Sequence, residues 1–525
     1  MTALHEGKLA AACTDARKAL RHAVVSGHLQ DEMAAAQLLA DIYAASGETT
    51  RAARLMVRTG TTNKLESMLK EGGDHYIDLT AALTSPQPWQ RAAAYKAIAV
   101  QADLVPDEQA DQIVSRALKE FADGEAGRTQ EGWVLPQVWH HALAAAAALI
   151  ERVDPACVQR ALLLLEPLLE REPGKYRHTD GAHIQMLAGV LRRHDEYGPQ
   201  AAQQLTELLR QGGSVAQQVP HLATDAIQEN SGLFRDGLRE MTLTDLWAAQ
   251  LLTIVGEDLP ADAPMVTSSY TTITTPLEAT PGVFALGTLL ADQALLVRHC
   301  APLEREAAAA ALTDRVLDKQ QPAINRSDAI NALTNLSAVL SPQTRSELFR
   351  LAMECARGEH DGSALDDLTG SAHPLSAVRV SLGSASLAVP GIRLAAATCA
   401  GDAGACAVED LAKPLLNGPD PDETAEIARA LTWLGNHPAA VPATQLATHP
   451  HPGVRRLAAV RWAAQTPRDP GIGTRLATDP DYRMRRELAA AVAAAQTADA
   501  TLAPVRDILA ADPRYCVRRA VAFVA

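Results

Sequence analysis

Three stretches carry side chains able to do chemistry. The first is "LATHPHPGVRRLAAV", residues 446–460, in which His449 and His451 stand beside Arg455 and Arg456. Two imidazoles at this spacing could supply part of a metal site or an acid–base pair. The second is Trp139-His140-His141, and the third is Ser67-x-x-Lys70, a spacing that can pair a hydroxyl nucleophile with a lysine. None of the three is complete. A metal held by His449 and His451 needs further ligands, and none is evident nearby. Adjacent histidines on a helix point in different directions, and neither His140 nor His141 has a carboxylate close in sequence. Ser67 and Lys70 have no supporting motif. The chain also lacks G-x-x-x-x-G-K, H-E-x-x-H, an EF-hand loop and G-x-S-x-G. The residues therefore predict no catalytic site, no cofactor and no metal, and point away from an enzyme.

The elements that carry the histidines explain them better. "LATDPDYRMRRELAAAV" begins at Leu476 and "LAADPRYCVRRAVAFVA" at Leu509, 30 and then 33 residues after the start at Leu446. The shared phrase is Leu-Ala, His or Asp, Pro, three residues, Val or Met, Arg-Arg and a small apolar run. A period of this length marks stacked helical repeats. Aspartate suits a helix start, where it accepts bonds from free backbone N–H groups, and proline suits the first helical position. Met484, Leu488, Ala491, Val492 and Ala495 recur at helical spacing. Arg485 lies beside this stripe, within reach of the acidic turn of a neighbouring unit, whereas Arg486 points away from it. Weaker copies are "VPGIRLAAATCA" near Ile392, "GPDPDETAEIARAL" with Asp420-Pro421, "AHPLSAVRV" from His373 and "TSPQPWQRAAAYKAIAV" near Ser85. These units resemble HEAT repeats, helix–turn–helix pairs that stack into a curved α-solenoid. Asp479, Met484 and Arg485, and again Asp512, Val517 and Arg518, match that family's Asp and Val-Arg positions, while His449 departs from the first. His449 and His451 are thereby expected to be turn residues.

Leu39, Ala40, Tyr43, Gly47, Ala52 and Met56 resemble one tetratricopeptide unit, in which small residues let paired helices approach. "HIQMLAGVLRRHDEYGPQAAQQLTELL" from His183 has a similar cadence. The expected fold class is an all-α solenoid, organised as a tetratricopeptide-like region over 1–75, irregular helical repeats over 76–254, helical repeats over 283–365 and HEAT-like repeats over 366–525. Between them, 255–282 is rich in Thr and Pro and shows no helical period. It is expected to be a linker, or a short strand or hairpin through Val266, Tyr270 and Ile273 that contacts a partner.

Composition sets the remaining bounds. The chain has 525 residues, 47% of them hydrophobic but only 4% aromatic, so alanine carries much of the apolar content. Its seven cysteines (Cys13, Cys157, Cys300, Cys355, Cys399, Cys406 and Cys516) form no C-x-x-C, which suggests reduced thiols in the cytoplasm. No apolar run is long enough to span a membrane and no secretory signal is visible. The Ala- and Arg-rich vocabulary suggests a bacterial source. The formal charge is −14, yet residues 441–525 carry 12 Arg against 7 acidic residues, leaving −19 on the rest. The first expectation is a scaffold that binds a protein partner on a concave solenoid surface, a basic segment suiting the acidic body. The alternative is nucleic acid on a stripe formed by Arg456, Arg486 and Arg519. Tyr270 and Ile273 are candidate partner contacts. Val521 and Val524, on a final helix without a polar cap, are a candidate homodimer face.

Overall fold

Alanine loses no side-chain entropy in a helix and lets neighbouring helices approach closely. The chain uses it between layers: Ala92, Ala93, Ala94 and Ala97 are buried on one helix, and Ala142, Ala145 and Ala146 on the helix packed against it. The computed structural model describes residues 9–71, 73–128, 137–170, 179–241, 246–256, 259–275, 287–319, 321, 323–361, 386–434, 441–495 and 501–522. Among them every regular element is a helix and none is a strand. Proline stands in the first turn of the helices that begin at Pro88, Pro155, Pro264, Pro302, Pro342, Pro421, Pro452 and Pro470, where its missing N–H costs nothing. Gly47 ends the helix Leu29–Ala45 in a left-handed conformation at φ +78°. Its N–H reaches the Ala44 carbonyl at 3.1 Å and the following N–H of Glu48 reaches Tyr43 at 2.8 Å, a turn that favours glycine.

The chain divides into two compact units, Met1–Leu238 and Arg239–Ala525. In the first, one layer runs through Thr49–Thr59, Pro88–Val100, Gln137–Leu149, Asp180–Arg193 and Gly213–Glu229, each helix packed on the next. A second set, including Thr62–Glu71, Asp107–Arg128 and Gly198–Arg210, packs against that layer. In the second unit the equivalent layer is longer. It runs through Leu246–Ile254, Gly287–Val297, Ala323–Leu336, Ala388–Thr398, Pro421–Leu431, Pro452–Ala464, Tyr482–Ala494 and Tyr515–Ala522. In both units the principal partners of a helix lie one or two places along the chain. That is the construction of an α-solenoid, in which each repeat buries its apolar face against its neighbours. The all-α expectation holds, and the C-terminal units are HEAT-like helix pairs.

The Thr-rich segment requires a correction. Residues Pro264–Thr274 form a helix, not a strand, hairpin or irregular loop. The hydroxyls of Thr271, Thr272 and Thr274 donate to the carbonyls of Thr267, Ser268 and Tyr270 at 2.9, 3.0 and 2.9 Å, so these side chains satisfy themselves within the helix. Val266, Ser269 and Ile273 form its buried face. Residues 257, 258 and 276–282 lie outside the described residues.

One glycine in the second unit is set by packing alone. A Cβ on Gly391 would lie 2.8 Å from the Ala356 nitrogen and 2.9 Å from the Ala352 carbonyl oxygen, both backbone atoms of the helix Pro342–Ala356. Alanine is favoured over glycine within a helix by about 1 kcal/mol, but here two backbones must separate. Gly391→Ala is expected to cost about 1–3 kcal/mol net, the range for overpacking. Urea unfolding followed by hydrogen exchange across 342–398 checks this, and an unchanged or raised stability would refute it.

Candidate functional site

The stretch at 446–460 forms the turn before the helix Pro452–Ala464, and its polar groups are engaged in building the stack. His449 Nδ1 accepts from the His451 N–H at 3.1 Å, and His451 Nδ1 accepts from the Gly453 N–H at 3.1 Å. The sister turn does the same with carboxylates. Asp479 accepts from the Asp481 N–H and Asp481 from the Arg483 N–H, each at 2.8 Å. In the third turn Asp512 accepts from the Arg514 N–H at 2.8 Å. The true helix caps are therefore His451 and Asp481, two residues after His449 and Asp479. By the same criterion Asp420, which caps Pro421–Leu431, corresponds to His451 and not to His449.

Arginines join these turns in series. Arg455 places Nε and Nη2 on the Asp479 carboxylate at 2.6 and 2.9 Å, and its Nη1 on the carbonyls of His449 and Pro450 at 3.0 and 2.7 Å. Arg485 grips Asp512 at 2.6 and 3.3 Å and the Asp479 carbonyl at 2.6 Å. Arg518 repeats the carbonyl half on Asp512 and Pro513 at 2.8 and 2.9 Å. Arg455 and Arg485 thus tie their own turns to the carboxylate of the next, with two donors in the fixed fork geometry that suits a carboxylate. Upstream the series is interrupted. Thr424 stands where Arg455 and Arg485 stand, and the next turn carries His449 in place of Asp479 and Asp512. A carboxylate at 449 would have no arginine from the preceding unit, and half-buried charge without a partner is costly. An uncharged acceptor is the matching choice.

The proposed stripe is uneven. Arg486 is exposed, as its register implies. Arg456 is half-buried and lies 3.8 Å from Asp481, while Arg519 is half-buried and partnered. Trp462 is fully buried, with its indole N–H on the Asp469 carbonyl at 2.7 Å, so it offers no exposed ring for stacking, and the half-buried Tyr482 ring is covered by the Arg514 guanidinium at 3.9 Å. Tyr270 is half-buried, whereas Ile273 is wholly buried and cannot be a partner contact, which corrects that expectation. Val521 is half-buried on Tyr515–Ala522, and Val524 lies outside the described residues. His140 and His141 do not diverge: their rings stack at 5.2 Å with planes 19° apart, and burial pushes His141 down to about 4. Among the described residues no cluster of His, Cys, Asp and Glu could hold a metal, and no helix is long and apolar enough to cross a membrane.

Two features were not anticipated. Glu409 on the helix Gly401–Leu416 and Arg461 on Pro452–Ala464 form an ion pair, 1% and 2% exposed. Glu409 also accepts the Val441 N–H at 2.7 Å, while Arg461 donates to the Val441 carbonyl at 3.0 Å. The other is an open groove of about 480 Å³ in the first unit, between Leu29–Ala45, Thr49–Thr59 and Thr62–Glu71. Ala44, Met56 and Met68 give it apolar walls, and Asn63, Lys64 and Ser67 a polar edge. The charges around it pair with one another. Lys64 is held by Asp41 at 3.0 and 3.1 Å, and Glu66 bridges Lys70 and Lys96 at 2.6 and 2.9 Å. The bond from Lys70, then that from Lys96, holds the Glu66 carboxyl below its ordinary range. Ser67 is therefore a wall residue of the groove, and its presumed lysine partner, Lys70, is bound to Glu66.

No family model and no curated protein matches the chain. Among solved structures, the crystal structure of Kap121p is similar over 96% of this chain at 11% sequence identity and a TM-score of 0.35, and the chain spans 66% of that protein.

Proposed function

We propose that this chain is a non-enzymatic scaffold that takes an extended segment of a protein partner on its helical stack, in the groove of the first unit. The observation that carries this reading is the chemistry of the groove wall. Its charges are tied up in ion pairs, three lysines on two carboxylates, so what it offers a ligand is the half-buried Met68 thioether, the Asn63 amide and the Thr49 and Ser67 hydroxyls around an open apolar floor. Methionine adapts its shape to varied side chains, and a folded helical stack presents such a surface already ordered, which lowers the entropic cost of binding. A peptide bearing an aliphatic or thioether side chain fits these groups.

Capture of the tagged full chain from its native lysate, with and without nuclease treatment, followed by mass spectrometry and a nucleic-acid assay of the untreated sample, tests the reading. A protein should be recovered in near-equal amount, and Ser67→Trp, which fills the groove from an exposed position, should weaken its retention at least about tenfold, or 1.4 kcal/mol. Unchanged capture by Ser67→Trp sinks the groove as the docking site. Recovery of nucleic acid instead, lost when Arg456, Arg486 and Arg519 are changed to Glu, would replace the scaffold reading with the anionic-polymer one.

A further inference from the structure

The interrupted turn at 447–453 differs from its sisters in one chemical respect: its acceptors can be lost by taking up a proton. Each imidazole there accepts a backbone N–H through Nδ1, so Nδ1 holds a lone pair and the ring proton sits on Nε2. His449 Nε2 faces the Asn417 Oδ1 at 3.3 Å, where that proton is donated. Protonation puts a hydrogen on Nδ1 and sets N–H against N–H. A carboxyl group has an acceptor oxygen in either protonation state, so the turns at Asp479 and Asp512 have no equivalent failure.

We propose that residues 447–453 form a proton-operated joint, at which charging of His449 frees the start of the helix Pro452–Ala464 from the helix pair before it. The surroundings favour a large response. Arg455 presses its guanidinium onto the His449 and Pro450 carbonyls, adding a second positive charge to the turn. Its counter-ion, Asp479, is already bound through both oxygens. Arg456 adds a further cation on the same helix, 3.8 Å from Asp481. The preceding unit offers Thr424 at the bridging position and packs Ala425 close to Gly453. Of the carboxylates on that helix and its cap, Asp420, Asp422 and Glu426 are exposed and Glu423 is half-buried; Asp420 accepts the N–H groups of Asp422 and Glu423 at 2.9 and 3.2 Å, and Glu426 is held by Arg393 at 3.0 Å. The short helix Ala443–Leu446 carries no charge, and the turn after Gly401–Leu416 meets the imidazoles through the Asn417 amide. No carboxylate among these is placed to welcome an imidazolium. Burial first, with repulsion from His451 and Arg455, holds the His449 ring below its ordinary value of 6.5. A proton then binds more readily to the opened turn than to the closed one. Closure is fully present above about pH 6.5 and is lost as pH falls below it.

Hydrogen exchange of the full chain at pH 7.5, 6.5 and 5.5, with labelling times scaled for intrinsic exchange, tests the joint. Amides 451 and 453–456 should lose protection several-fold between pH 6.5 and 5.5, up to about tenfold for one proton, while 481–486 and 514–519 hold theirs. In H449N/H451N the asparagine oxygens keep the acceptors without titrating, and the loss should vanish. Equal behaviour of all three turns, or a loss that persists in the double variant, overturns the proposal. A second readout does not depend on the variant's stability: 15N-histidine spectra of the wild type at pH 7.5 must show Nδ1 unprotonated in both rings, and the opposite tautomer in either refutes the joint outright.

Discussion

Glu409→Gln should destabilise the second unit by about 3–5 kcal/mol, the range observed when one member of a buried ion pair is removed. The substitution keeps the shape and an acceptor for the Val441 N–H but leaves the Arg461 guanidinium charged in a site from which water is excluded. Burial already lowers the Arg461 pKa, and Glu409 is what offsets that shift. Replacing both residues by Met removes the charges together, and in many proteins that exchange is neutral or favourable. Here it should recover only part of the loss. The N–H and C=O of half-buried Val441 are clamped by this pair, and leaving them unbonded costs up to about 1–3 kcal/mol each, the range for buried groups. Chemical unfolding of wild type, E409Q and E409M/R461M separates the two contributions. A double variant as stable as wild type would show that the pair does not anchor the backbone at Val441. An E409Q within 1 kcal/mol of wild type would show that water reaches Arg461.

How much of this was legible in the sequence depends on whether the signal is local. The repeat turns were legible because Asp-Pro and Val-Arg recur at fixed spacing, and the reach of Arg485 to a neighbouring turn followed from its place beside the buried stripe. The capping register was off by two because His449, His451, Asp479 and Asp481 are all good acceptors, and only backbone geometry distinguishes cap from pre-turn. The helix at Pro264–Thr274 was hidden by composition. Threonine disfavours helices in general, yet here tertiary burial of Val266 and Ile273 decides the outcome, with the hydroxyls bonded back along the helix. Glu409 and Arg461 left a trace that sequence reading passed over. Glu409 falls in register with Ala405, Val408 and Ala412, and Arg461 with Val454, Leu457 and Ala458, so each is a lone charge on an apolar stripe. Their partnership spans 52 residues and has no local signature. The groove is closer in sequence, within residues 44–68, yet Ala44, Met56 and Met68 converge only once three helices are placed.

Asp512→Asn should cost about 3 kcal/mol, because Arg485 and Asp512 are 5% and 4% exposed and the amide still accepts the Arg514 N–H, so the loss is that of charge alone. Asp479→Asn should cost less, since Arg455 is 13% exposed and water can reach it. The interrupted turn supplies the converse experiment. Thr424→Arg alone buries a cation where the next turn has no carboxylate, and His449→Asp alone places a carboxylate where no arginine arrives, so each should destabilise. Together they rebuild the bridge that Arg455–Asp479 and Arg485–Asp512 make, with Gly418 and Pro419 supplying the carbonyls that His449 and Pro450 supply to Arg455. The double-mutant cycle should return a favourable coupling of about 1–2 kcal/mol. Additive losses would mean that the backbone at Thr424 does not aim a side chain at the following turn, and that the absence of arginine there is a matter of packing. Favourable coupling would mean that charge alone separates this junction from its sisters, each residue of the Thr424 and His449 pair being tolerated because of the other.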